Sequence, residues 1–108
     1  MATQFNGSEG SMIPPAQAAK WTKTYRDANP GEIKAFYIGR DVIEDIFKQA
    51  DCMGIRMYRA ITDDETPQEQ VVIVGVDSNG IDLTDNGKIA DRCLPCPACC
   101  DTNSILYK

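Results

Sequence analysis

Residues Gln70–Asp77 read QVVIVGVD. A continuous run of β-branched residues, closed by an acidic turn, is the pattern of a strand covered on both faces. Such a strand needs a neighbour in the sheet and layers above and below it. The nearest neighbour is Ile55–Ile61 (IRMYRAI). Ile55, Met57 and Ile61 fall on one face, and Arg56, Tyr58 and Ala60 on the other. The intervening Thr62–Glu69 (TDDETPQE) is acidic and contains Pro67, so it reads as an exposed loop. Two strands joined this way most simply form an antiparallel hairpin.

Two amphipathic helices precede the hairpin. Ser11 is placed to cap the first, with Pro14–Pro15 in its opening turn, where a missing N–H costs little. Ala18, Trp21, Tyr25 and Ala28 recur at helical spacing and predict a buried face. Asn29-Pro30-Gly31 ends this helix. The second opens at Asp41-Val42-Ile43-Glu44, which has the form of a capping box. Its apolar stripe is Ile43, Ile46, Phe47 and Ala50, and Gly54 is the expected stop. Between the helices Ile33–Ile38 (IKAFYI) reads as a strand. Asp77-Ser78-Asn79-Gly80 and Asp85-Asn86-Gly87 are turns. Ile81–Thr84 is a candidate fourth strand, and Asn103–Tyr107 a candidate edge strand.

The expected fold is α+β: two helices packed on a small, mainly antiparallel sheet of three to four strands, followed by a Cys-rich C-terminal tail. Residues 1–11 read as a flexible lead, because Gly7, Ser8, Gly10 and Ser11 show neither period nor large side chains. Residues 12–108 then form a single domain that includes the tail at 93–100.

Composition narrows the function. Eleven Lys+Arg against sixteen Asp+Glu give a net charge of −5, which a phosphate backbone would repel, so no nucleic-acid partner is expected. The chain contains no histidine, the commonest general base and nitrogen metal ligand. The N-terminus lacks the basic and apolar regions of a signal peptide, and Val71–Val76 is far too short to span a bilayer. The expected setting is cytoplasmic, with no membrane partner. In that compartment free or metal-bound thiols are expected rather than disulfides. An odd count of five cysteines agrees.

Four of the cysteines are Cys93, Cys96, Cys99 and Cys100. Their overlapping C-x2-C units have the form of a thiolate knuckle, so these four are the candidate ligands for zinc or an iron–sulfur cluster, with Cys52 as a further candidate. The spacing departs from the usual pattern of two knuckles a dozen or more residues apart. A bacterial ferredoxin run would need cysteine at position 103, which is Asn. The same pairs suit a C-x-x-C thiol oxidoreductase, but Asp101 raises rather than lowers a nearby thiol pKa. The plainest reading is that the thiols are structural.

Other constellations weigh less. Asp82, Thr84 and Asn86, with Gly87 and Ile89, overlap an EF-hand loop, but Cys93 stands where the bidentate Glu belongs. Arg56, Tyr58 and Arg59 suit an anionic ligand, although a strand arginine more often pairs with a carboxylate across the sheet. Asp63-Asp64-Glu65 and Glu44-Asp45 read as solvated acidic surface. No phosphate loop or nucleophile elbow is present in the sequence.

Three stretches, Ala19–Pro30 (AKWTKTYRDANP), Met53–Tyr58 with Val74–Asp77 and Gly80–Asp82, and the Cys93–Cys100 tail, together resemble a group of small uncharacterised bacterial proteins. The resemblance covers most of residues 13–100. It implies a bacterial α+β domain and brings no activity with it. The functional expectation is a small non-enzymatic binding or interaction module, taking a protein partner or a second copy of itself. A metal-thiolate protein and a thiol oxidoreductase are the alternatives.

Overall fold

A computed structural model describes residues 5–85, 88–91, 93–96 and 100–108. In chain order its elements are α1 (Pro15–Ala28), β1 (Ala35–Tyr37), α2 (Arg40–Phe47), β2 (Gly54–Ile61), β3 (Glu69–Val76), β4 (Ile89–Ala90) and β5 (Leu94–Cys96). Two helices and two small antiparallel sheets make the fold α+β. The chain divides into two compact units.

The first unit takes in residues 5–9 and 38–93 of the described chain. Its sheet has the order β2-β3-β4, with β3 central as its apolar run predicts. β2 and β3 pair along their whole eight-residue length, from Gly54↔Val76 to Ile61↔Glu69. α2 anchors to β3 through Ile46, which is 1% exposed. The anchor depends on Gly75. A Cβ there would lie 2.9 Å from Cys52 Sγ and 3.1 Å from Ile46 Cγ2, so only a glycine admits this approach. Ile73, Val74, Val76, Ala90 and Cys93 complete the buried core.

The second unit comprises Gly10–Tyr37 and Leu94–Lys108. It holds α1 and the two-stranded sheet, in which β1 pairs with β5 through Ala35↔Cys96, Phe36↔Pro95 and Tyr37↔Leu94. The strand expected at Ile33–Ile38 therefore exists in its middle, but it does not join the sheet of β3. Its partner carries Pro95, whose missing N–H suits a strand paired on one side only. The C-terminal segment Asp101–Lys108, a run of turns, is tied to α1. Arg26 Nη1 donates to Leu106 O at 2.5 Å and Nη2 donates to Lys108 O.

Several local expectations are corrected. Gly39, not Asp41, is the N-cap of α2, and no side chain caps it. Asp41 lies instead in the first turn, where its charge favours the helix dipole. The helix ends at Phe47, before Gly54, and Asp51 takes the left-handed position with φ 61°. α1 is capped by Pro14 rather than Ser11, and Pro15 occupies the first turn. Ile81–Thr84 forms only an isolated bridge, Val76↔Asp82, and the third strand falls at Ile89–Ala90. The cause is a tight turn, in which Asp77 Oδ1 accepts the Asn79 and Ile81 N–H groups and Gly80 adopts φ 81°. Asn103–Tyr107 forms turns, not an edge strand. Asp101 Oδ1 and Ser104 Oγ capture its backbone N–H groups locally.

Candidate functional site

The Trp21–Tyr25 stripe does not face a core. Trp21 is 56% exposed, and α1 has no buried residue. The half-buried positions are Ala18, Ala19, Thr22 and Arg26, a mostly small and polar face that sequence patterning passes over.

In the first unit, β2 is an edge strand. Thr62 N–H donates to Gln68 O, which continues the hairpin ladder. Leu83 N–H donates to Gly75 O on the opposite side of β3. Because backbone groups alternate sides along a strand, the even-numbered residues of β2 face β3. The N–H and C=O groups of Ile55, Met57, Arg59 and Ile61 therefore point outward. Among the described residues no other backbone group pairs with them. The side chains on that register are poorly covered as well. Met57 is 64% and Ile61 73% exposed.

The other face of β2 carries a polar cluster. The Asp77–Gly80 turn returns the chain so that Asp82 meets two neighbours on that face. Arg56 Nη1 donates to Asp82 Oδ1 at 2.5 Å and to Gly80 O at 3.3 Å. Tyr58 OH donates to Asp82 Oδ2. The hydrogen bond to Asp82 raises the pKa of both Arg56 and Tyr58 above their ordinary values, keeping the first charged and the second neutral. Arg59 pairs with Glu69 at 3.2 Å. These arginines thus pair with carboxylates within the unit.

Phe5 supports the cluster from below. Its N–H donates to Ser78 O at 2.9 Å, and its ring lies 5.8 Å from the Arg56 guanidinium carbon. The ring occupies the space a Cβ at Gly80 would need. Glu9 closes the segment by accepting the Asn6 and Gly7 N–H groups, which lower its pKa. Within the lead, Phe5 thus bonds to the Ser78 turn and residues 6–9 bond locally, a contact that sequence patterning passes over. Phe5, Phe47, Met53, Ile55 and Arg56 line a cavity of about 540 Å³.

The described cysteines of the tail fall in different units. Cys93 is buried in the first unit, with Sγ 3.7 Å from Val71 O, and burial pushes its thiol pKa up. Cys96 and Cys100 belong to the second unit and form a disulfide, their Cα atoms 4.9 Å apart. The expectation of free or metal-bound thiols throughout is corrected for this pair. The sequence offered two C-x2-C spacings, whereas the bond joins residues four apart. Cys52 is a half-buried free thiol whose Sγ donates to Gly54 O at 3.4 Å. Cys99 lies outside the described residues, as do Asn86 and Gly87 of the calcium-loop pattern. Among the described residues no three His, Cys, Asp or Glu side chains gather to hold a metal ion. No helix there is long and apolar enough to cross a membrane.

Comparison with protein-family models, with curated proteins and with solved structures returns no match.

Proposed function

We propose that the chain is a small non-enzymatic interaction module that self-associates by pairing β2 with β2 of a second copy. The observation that carries this is the eight-residue edge strand whose outward backbone groups find no partner among the described residues and whose Met57 and Ile61 side chains are exposed. An edge of this kind is a template for strand addition.

One antiparallel register keeps the arginines of the two copies apart. With Tyr58 on the two-fold axis, Ile55 faces Ile61 of the second copy and Met57 faces Arg59. The outward backbone groups then bond in reciprocal pairs. No arginine opposes an arginine, whereas moving the axis to Arg59 would set the two guanidinium groups directly opposite. The local charges are already balanced, Arg56 by Asp82 and Arg59 by Glu69. The net charge of −5 therefore acts on the pair only as a screened, long-range repulsion.

A cytoplasmic setting fits the free thiols of Cys52 and Cys93, and the Cys96–Cys100 disulfide pulls the other way.

The test is molar mass by light scattering or sedimentation over a range of concentrations. The expected mass shifts from monomer to twice that value. Arg59→Pro removes one outward N–H without touching the β3 ladder, so the variant should fold and stay monomeric. A wild type that stays monomeric throughout rejects self-association. A variant that dimerises like wild type rejects this edge.

A further inference from the structure

We propose that the Cys96–Cys100 disulfide is a reversible redox site on which the order of the second unit depends, independently of the dimer reading. Among the described buried apolar residues, only Cys96 belongs to that unit, and it is 6% exposed. Units below about 70–80 residues rarely hold together on an apolar core alone and use a staple. Here the staple sits on the sheet itself. Cys96 pairs with Ala35 at the end of the β1–β5 ladder, and its carbonyl accepts the Lys34 N–H at 2.5 Å. α1 contributes no buried side chain to take over if the bond opens.

The site is built to be opened from one side. Cys100 is half-buried, whereas Cys96 is buried. A thiolate of a dithiol reductant attacks Cys100 Sγ, forming a mixed disulfide and expelling Cys96 as a thiolate, which takes up a proton. The second thiol of the reductant then attacks its own mixed-disulfide sulfur and releases Cys100, which is protonated in turn. Two electrons and two protons pass to the protein, and the reductant leaves as a cyclic disulfide. Cys52 and Cys93 remain thiols in both states. Free thiols at Cys52 and Cys93 beside the Cys96–Cys100 disulfide fit a conditional bond better than a general oxidative framework.

The test is hydrogen exchange read by mass spectrometry on the full chain, before and after treatment with dithiothreitol under native conditions. Reduction should speed exchange in peptides covering 33–37 and 94–96 by about tenfold or more, and leave those of β2 and β3 unchanged. A Cys100→Ser variant should match the reduced wild type in every peptide. Equal protection in both redox states overturns the proposal. So does a peptide map of the unreduced protein that links Cys96 to any cysteine other than Cys100. A loss of protection that extends equally to β2 and β3 overturns the assignment to the second unit alone.

Discussion

Gly75 is where one atom decides how α2 sits on its sheet. Ile46 Cγ2, Gln49 Nε2 and Cys52 Sγ all approach within about 3 Å of where its Cβ would stand. Gly75→Ala should therefore destabilise the protein by about 1–3 kcal/mol, because the neighbours must shift in a packed region. Urea unfolding with an unchanged m-value would measure it. The Asp82 hydrogen bond gives a second residue-scale expectation. Tyr58 binds its proton more tightly when folded, so its contribution is complete below pH 10 and is lost as pH rises through the folded value. Thermal unfolding should show a steeper decline above pH 10 in wild type than in Tyr58→Phe. Equal slopes would mean that the Asp82 contact does not couple to folding. Cys93 follows the same sign through burial, and should resist alkylation in the native state but react promptly in denaturant.

At the scale of elements, legibility followed the length of the pattern. The β2–β3 hairpin was readable because eight residues of alternating or continuous apolar character outweigh local ambiguity. α2 was readable through Ile43 and Ile46, and Ile46→Ala should cost about 2–5 kcal/mol in equilibrium unfolding. Its ends were not readable, because Gly39 and Asp51 supply by backbone conformation what Asp41 and Gly54 seemed to supply by side chain. The Trp21–Tyr25 stripe misled for a different reason. Periodicity reports that side chains share a face, but not that another layer covers it. β4 and β5 were missed because two or three residues carry no period at all. The β2 edge itself was only partly legible. Sequence places Met57 and Ile61 on one face, but which edge of the strand stays unpaired depends on the whole sheet order.

For the whole molecule, the cysteine cluster was the strongest chemical signal in the sequence, and the structure distributes it between two units. The i, i+4 bond was not legible, because spacing alone leaves the pairing of five cysteines open. One consequence is a link between redox state and metal affinity. The oxidised chain has two of its candidate ligands, Cys96 and Cys100, bonded to each other. Zinc uptake should therefore be weak in the oxidised protein and stronger after reduction, measured by titration with a chromophoric competitor. Stoichiometric uptake by the oxidised form through Cys96 and Cys100 would contradict the disulfide.

The two-residue strand β4 bears on the size any assembly can reach. Pairing through β2 consumes that edge on both copies, and the sheet that results ends in β4 on either side. Two residues present too few backbone groups to recruit a third molecule. The β1–β5 sheet, with Pro95 in one of its strands, is a poor substitute. A pair made through β2 would therefore be closed rather than propagating. Raising the concentration should fill the two-fold pair and then stop, without the fibres that an open edge at both ends would allow.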